Sequence, residues 1–192
     1  MRTAIFGGTF DPVHSAHLEV ARLAADQYLL DRVLFIPAGN PPHKHADASF
    51  EHRYRMVELA CSADSRFIAS RLEEGTAKSY SIDTIERVRA ASAVDVADNT
   101  LFFIIGSDAF AEIQTWRRWQ DVIRAVEFIV VARPGHEIAG PSGARVHQLE
   151  SVELPVSSSD IRDALARGEA PLELPSAVAD YIRDHGLYRP LD

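Results

Sequence analysis

The stretch Thr3–His17, TAIFGGTFDPVHSAH, decides how the chain begins to fold. Residues 3–6 form a short apolar run, which is typical of a buried strand, and Gly7-Gly8 ends that run. Apolar residues then recur at helical spacing through residues 18–30. Two glycines let a backbone come close to a bulky anion, and a helix N-terminus presents unpaired N–H groups. The stretch therefore predicts a strand–turn–helix unit that binds phosphate.

Three polar side chains of this stretch are candidates for contacting that phosphate. Thr9 offers a hydroxyl, and His14 and His17 lie three residues apart, on one helical face if the helix has begun. The pattern is neither Gly-x-Gly-x-x-Gly nor the lysine-containing P-loop. From the residues alone, a strand-to-helix turn with two surface histidines is the alternative. A metal-binding histidine pair is disfavoured because no carboxylate ligand is obvious beside the two rings.

The rest of the chain repeats this alternation of short apolar runs and longer helical segments. Strands without polar alternation, separated by helices, indicate a parallel sheet covered on both faces. We therefore expect an α/β fold, a Rossmann-like doubly wound parallel sheet of five to six strands with helices on both faces. Ligands of such sheets bind beyond the C-terminal ends of the strands. The later predicted strands are 32–37, 67–69, 101–105, 128–132 and an edge strand at 145–149; the later predicted helices are 51–62, 81–91, 108–125, 158–166 and 176–185.

The composition narrows the class of protein. The 192 residues are 46% hydrophobic, and the net charge is −8 at a pI of about 5.5. No dense Lys/Arg cluster offsets this acidity, which argues against nucleic acid and membrane surfaces as partners. Cys61 is the single cysteine, so a buried thiol is expected and an internal disulfide is excluded. No apolar run approaches the ~20 residues of a membrane span, and the N-terminus lacks a signal-peptide pattern, so a cytoplasmic location is expected.

A second candidate motif lies near the other end of the chain, at Val156–Arg162, VSSSDIR. A run of serines before a helix is an N-cap with spare hydroxyls, of which Ser157 and Ser158 are candidates for phosphate contacts. Arg162, one turn into that helix, could hold a polyphosphate with its forked guanidinium. A plain capped helix with a solvated arginine is the alternative from the residues alone.

Together the two motifs resemble the nucleotidyltransferases with a His-x-Gly-His signature, and most closely the bacterial nicotinate-mononucleotide adenylyltransferases. Two departures stand out, because Ala16 replaces the usual Gly and Ser159 replaces the usual Thr. The resemblance extends from Thr3 to Tyr188. It implies a single domain of nucleotidyltransferase type over residues 1–192, with a C-terminal helical part at about 157–192 packed on it.

The resemblance also implies which residues hold ATP. His14, His17 and Arg162 would be the catalytic groups, with His17 nearest the α/β-phosphate bridge. Gly106-Ser107-Asp108, which follows the strongest strand, would contact adenosine; a turn with Asp108 capping the next helix is the alternative. Mg²⁺ would enter with ATP, and no dedicated protein metal site is expected. The expected ATP-binding residues are Gly7, Gly8, Thr9, Phe10, Gly106, Asp108, Ser157 and Ser158.

For the acceptor, the resemblance implies a pyridine pocket. Trp116 would stack on the ring, while Ser81 and the backbone amide of Arg117 would hold the nicotinate carboxylate. Taken singly, the tryptophan reads as core packing and the serine as a helix N-cap. Lys44 would contact the acceptor phosphate, although a lone loop lysine is ordinarily solvated. The expected acceptor-binding residues are Lys44, Ser81, Thr84, Trp116, Arg117 and Arg133.

The function implied is transfer of AMP from ATP to nicotinate mononucleotide, giving deamido-NAD and pyrophosphate. Nicotinamide mononucleotide, pantetheine phosphate and a cytidylyltransferase substrate remain alternative acceptors. A sensor or scaffold that binds ATP without turnover is an alternative from another class. A fragment of an aminoacyl-tRNA synthetase is disfavoured because the second lysine-rich loop of those enzymes is missing. The expected partners are ATP and nicotinate mononucleotide, and a homo-oligomer is left open.

Overall fold

A computed structural model describes residues 1–40, 46–76, 78–91, 100–132, 138–150 and 156–189. All strand pairs in it are parallel, and the strand order is β3-β2-β1-β4-β5-β6. The order reverses between β1 and β4, which is where an open parallel sheet forms a ligand crevice. The strands are β1 (Arg2–Gly8), β2 (Arg32–Pro37), β3 (Phe67–Ala69), β4 (Thr100–Gly106), β5 (Glu127–Ala132) and β6 (Arg145–Glu150).

Helices pack on both faces of this sheet, as the uninterrupted apolar strands predict. Successive strand residues point to opposite faces, so Phe102 and Ile104 of β4 join one apolar cluster while Phe103 and Ile105 join the other. The first cluster includes residues of α1 (Ser15–Gln27), α2 (Phe50–Cys61), α6 (Ser158–Ala166) and α7 (Ser176–Asp184). The second includes residues of α3 (Ser81–Ala91), α4 (Ser107–Ala111) and α5 (Trp119–Ala125).

Most predicted elements are found close to their expected bounds. β2, β3, α3 and α6 begin and end where the sequence predicts, and the predicted edge strand is β6. α1 begins at Ser15, earlier than the apolar periodicity indicates, because the His14 backbone N–H donates to Nδ1 of His17 at 3.2 Å and closes the first turn. Cys61 is buried as expected, and burial raises the pKa of its thiol to about 12.

The predicted single helix over 108–125 is wrong. The chain forms α4, a short 3₁₀ turn at Ile113–Thr115 and then α5. Trp116 between them is extended, and Arg118 adopts a left-handed conformation with φ of 52°. Apolar residues of all three pieces still pack into one core cluster, so the hydrophobic pattern does not reveal the breaks.

In the described part of the chain, no helix is both long enough and apolar enough to cross a membrane.

Candidate functional site

The turn after β1 places two imidazole rings at the start of α1. His14 is the residue before the helix and His17 lies in its first turn, with ring centroids 3.8 Å apart. Nδ1 of His17 accepts the His14 backbone N–H, so in the neutral ring the proton lies on Nε2. That tautomer makes Nε2 of His17 a hydrogen-bond donor.

The alternative interpretation of this turn places both histidines at the surface, but the His14 ring is buried. It is 4% exposed, and among the described residues its Nδ1 has no hydrogen-bond partner. Burial lowers the pKa of His14 from 6.5 to about 4, and the charge of Glu173 acts in the opposite sense. His14 is therefore neutral at pH 7 in the free protein.

The N-terminal end of α6 is anchored on the same turn. Ser158 Oγ donates to the Pro12 carbonyl at 3.0 Å, and Arg162 Nη1 donates to the Asp11 carbonyl at 2.8 Å. Ser157 caps α6 by accepting the backbone N–H of Asp160 at 3.2 Å. The two motifs, more than 140 residues apart in sequence, are thus in direct contact.

Arg162 is not a solvated surface arginine. Its side chain is 27% exposed, and its Nε lies 2.5 Å from the Asp47 carboxylate. Together with the bond to the Asp11 carbonyl, this ion pair orients the guanidinium before any ligand arrives. The arginine is therefore presented as a fixed fork.

A cleft of about 260 Å³ opens at the C-terminal ends of β1 and β4, the point where the strand order reverses. Its floor is the edge of the sheet, including Gly7, Gly8 and Gly106, and Trp116 forms part of its wall. Predicted ATP-binding and predicted acceptor-binding residues thus share one cavity. The acceptor residues lining it are Ser81, Thr84 and Trp116.

Glycines keep the floor of this cleft bare. A Cβ added at Gly7 or at Gly106 would meet nothing within 4 Å, and neither residue has a positive φ. Neither glycine is therefore needed for the turn itself, and a side chain at either position would enter open space. Gly8 differs, because its Cβ would lie 3.0 Å from the ring of Phe10. The Phe10 ring is in the core, so any contact of this residue with ATP must use its backbone.

The side of the cleft that is lined by Ser81, Thr84 and Trp116 contains a buried carboxylate that the sequence analysis missed. Glu73 is 7% exposed, accepts the Thr84 hydroxyl at 2.5 Å and the Gly39 N–H at 3.4 Å. The hydroxyl proton of Thr84 is therefore donated to Glu73. Trp116 packs edge-on against Phe103, with ring centroids 6.0 Å apart, and is partly exposed toward the cleft.

Other predicted residues are placed less closely. The Arg117 side chain points to Asp83, at 3.7 Å, and lies over the ring of Tyr80. Asp108 is exposed in the first turn of α4, directly after β4. Lys44 and Arg133 lie outside the described residues.

Sequence reasoning also missed three polar residues beneath the turn: the buried Asp11 and Arg53, and the half-buried Tyr188. Arg53 is 2% exposed and donates to the Thr9 carbonyl at 2.7 Å. Burial lowers the pKa of Arg53, an effect that the nearby Asp11 carboxylate opposes. The only signal in the sequence is a charged residue on the apolar side of α2, next to Met56 and Val57.

Among the described residues, no group of three or more His, Cys, Asp or Glu side chains is arranged to hold a metal ion.

Several known proteins are similar to this chain. Residues 5–164 match the cytidylyltransferase-like family. A probable nicotinate-nucleotide adenylyltransferase of Solibacter usitatus (strain Ellin6076) is 58% identical over 190 residues, which cover 98% of this chain and 100% of that protein. One from Thermus thermophilus is 40% identical over 191 residues, with 98% and 100% covered. Among solved structures, Plasmodium falciparum nicotinic acid mononucleotide adenylyltransferase complexed with NaAD is 20% identical, with 97% of each chain covered and a TM-score of 0.78. That structural likeness shows a common fold.

Proposed function

This chain belongs to the nicotinate-nucleotide adenylyltransferases of the cytidylyltransferase-like family, and we propose that it transfers AMP from ATP to nicotinate mononucleotide. The products are deamido-NAD and pyrophosphate. The assignment draws on relatives that are named for this activity and align with nearly the whole chain.

The observation that carries the proposal is the meeting of three features at one sheet edge. The glycine floor and the tryptophan wall share one cleft, and the turn that follows this floor carries His14 and His17. Arg162 and Ser158 bond to the carbonyls of the same turn. A cleft with an aromatic wall suits adenosine or a pyridine ring, and the adjoining donors suit phosphates.

The proposed chemistry is an in-line displacement at the α-phosphorus. An oxygen of the acceptor's 5′-phosphate forms the new P–O bond, and the bond to the β-phosphate oxygen breaks to release pyrophosphate. A phosphate dianion is already nucleophilic, so neither a general base nor a covalent enzyme intermediate is needed. Catalysis then rests on alignment and on stabilising charge on the phosphoryl oxygens.

Each side chain has a role in this scheme. Nε2 of His17 donates near the α/β bridge, where negative charge develops. Arg162 holds the β- and γ-phosphates, and Ser158 can donate to them once its hydroxyl rotates away from the Pro12 carbonyl. Thr9 contacts the triphosphate or the acceptor phosphate. His14, which burial keeps neutral in the free protein, can donate its one ring N–H to the phosphates, and it becomes a cation only if they raise its pKa.

Mg²⁺ would enter bound to ATP, and when bound it neutralises charge on the pyrophosphate leaving group. Its ligands would be phosphate oxygens and water, and we assign no described side chain to it.

The direct test is a pyrophosphate-release assay with ATP and Mg²⁺, in which nicotinate mononucleotide, nicotinamide mononucleotide and phosphopantetheine are compared side by side. We expect the highest kcat/KM with nicotinate mononucleotide. A higher value with either other acceptor would replace the acceptor assignment. Absence of pyrophosphate release with all three, together with measurable ATP binding, would favour a nucleotide sensor.

A further inference from the structure

The Asp11 carboxylate lies beneath the turn that follows β1 and accepts hydrogen bonds from distant parts of the chain. It is 2% exposed, and three donors reach it. The Tyr188 hydroxyl and the Ala48 backbone N–H donate to Oδ1 at 2.6 and 3.1 Å, and the Asp47 backbone N–H donates to Oδ2 at 2.6 Å. A carboxylate has room for about four hydrogen bonds. Protein donors therefore occupy most of its capacity, and it is not available as a substrate ligand.

The three groups that hydrogen-bond to the Asp11 carboxylate in the described part of the chain are all donors, so both of its oxygens act as acceptors. Burial and the Asp11 carboxylate raise the pKa of Tyr188, which keeps the phenol protonated and able to donate. Asparagine at position 11 would turn an N–H₂ group toward at least one of these donors. The site is thus matched to an acceptor with two oxygens.

The backbone of the same turn also orients Arg162, the side chain that we assign to the triphosphate. Asp11 accepts Arg162 Nη1 on its carbonyl, while the Asp47 carboxylate receives Nε of the same arginine. Asp11, Asp47 and Arg162 thus form a closed ring, since Asp47 donates its backbone N–H to Asp11. A shift of the Asp11 carboxylate would move the carbonyl that orients Arg162.

We propose that Asp11 is a positioning residue for adenylyl transfer, an inference that rests on the function proposed above. Its carboxylate fixes the turn, the segment at Asp47–Ala48 and the C-terminal Tyr188 in one arrangement. Arg162 is aimed at the triphosphate by the carbonyl and carboxylate that this arrangement sets. Asp11 acts through Arg162 and does not touch the phosphates.

The test compares Asp11→Asn and Tyr188→Phe with wild type. For each protein, kcat, the KM for ATP and the dissociation constant of a non-hydrolysable ATP analogue are measured well below its melting temperature. Because small misplacements of catalytic groups are costly, we expect Asp11→Asn to lower kcat about 30-fold and to weaken analogue binding about tenfold. Tyr188→Phe keeps both backbone donors, so a roughly threefold loss in kcat is expected.

Two matched controls separate positioning from general damage. Asp64→Asn makes the same change at a carboxylate that pairs with Arg66, and Tyr28→Phe removes a hydroxyl that donates to the Gln148 carbonyl. Both controls should keep kcat and analogue binding within twofold of wild type. A role confined to stability would lower the melting temperature of Asp11→Asn and leave these two constants unchanged.

The outcomes decide as follows. A folded Asp11→Asn protein with kcat and analogue affinity within twofold of wild type overturns the proposal. If that variant does not fold, Tyr188→Phe decides, and an unchanged kcat overturns the proposal. If wild type itself turns over none of the acceptors, the proposed function fails, and the positioning role is judged by analogue affinity alone. An unchanged affinity in Asp11→Asn then overturns the positioning role. If Asp11→Asn does not fold, an unchanged affinity in Tyr188→Phe overturns it.

Discussion

Replacing Arg162 by lysine keeps the positive charge and removes the forked guanidinium. In the structure Nη1 donates to the Asp11 carbonyl at 2.8 Å and Nε lies 2.5 Å from the Asp47 carboxylate. These contacts fix the plane of the fork in the free protein. A lysine ammonium is a point charge on a flexible stem, so it can reach a phosphate but cannot be held in that plane.

The magnitude follows from the bonds that are lost. A hydrogen bond to a charged group contributes roughly 1.5–3 kcal/mol, and 1.4 kcal/mol is about a factor of ten. The guanidinium fork would make two such bonds to the polyphosphate, whereas the lysine ammonium would make one, so one bond is lost. We therefore expect kcat/KM for ATP to fall about 10- to 100-fold in Arg162→Lys, measured by initial rates of pyrophosphate release.

The matched control is Arg167→Lys, at the C-terminal end of the same helix. Arg167 pairs with Glu169, and its side chain is 59% exposed. We expect this variant to keep kcat/KM for ATP within twofold of wild type. If Arg162→Lys also stayed within threefold of wild type, the fork would not be used and the reasoning for Arg162 would be refuted.

Four further predictions concern other parts of the site. Because burial lowers the pKa of His14 from 6.5 to about 4, the unfolded state binds more protons between these values, and stability falls as the pH is lowered through that range. Urea denaturation should show wild type losing about 2 kcal/mol more than His14→Gln between pH 7 and pH 5; equal losses would contradict the buried neutral ring. His17→Ala should keep its circular dichroism spectrum and lose roughly a hundredfold or more in kcat, and near wild-type turnover would refute the role of this donor. Gly106→Val should leave the melting temperature nearly unchanged, since a Cβ there meets nothing within 4 Å, but should raise the KM for ATP about tenfold by filling the cleft. Trp116→Ala should raise the KM for nicotinate mononucleotide about fivefold through lost stacking, and an unchanged KM would argue for a purely packing role.

The fold could be predicted because its signals are local. Buried parallel strands are continuous apolar runs, so β2 and β3 are found at the predicted residues. The break at Trp116–Arg118 could not be predicted in the same way, because α4, the 3₁₀ turn and α5 all direct apolar residues into one cluster. Hydrophobic periodicity indicates which side chains are buried, and it does not detect a break in a helix when the residues on both sides of the break stay buried.

The residues that line the cleft could be predicted from the sequence, whereas the buried residues beneath the turn after β1 could not. Floor and wall of the cleft come from short motifs, and Gly7, Gly106 and Trp116 line it together. The hydrogen bonds beneath the turn after β1 join residues that are far apart in sequence, such as Asp11 and Tyr188, which are 177 residues apart. A single sequence carries no signal that two such polar residues meet, and either one alone reads as an ordinary surface group.

This difference in origin has a consequence for how the protein tolerates change. On the cleft side, a substitution acts by occupying space that a substrate needs, so its effect should appear in the KM of one substrate. On the phosphate side, Asp11 and Arg53 hold the carbonyls and backbone N–H groups of the turn and its neighbouring segment without lying at its surface. Substitutions there should displace Arg162 together with the turn that leads into α1, because Arg162 donates to the Asp11 carbonyl of that turn. Their effect should therefore appear in kcat, and it should exceed what the loss of any one of these contacts with the substrate would predict.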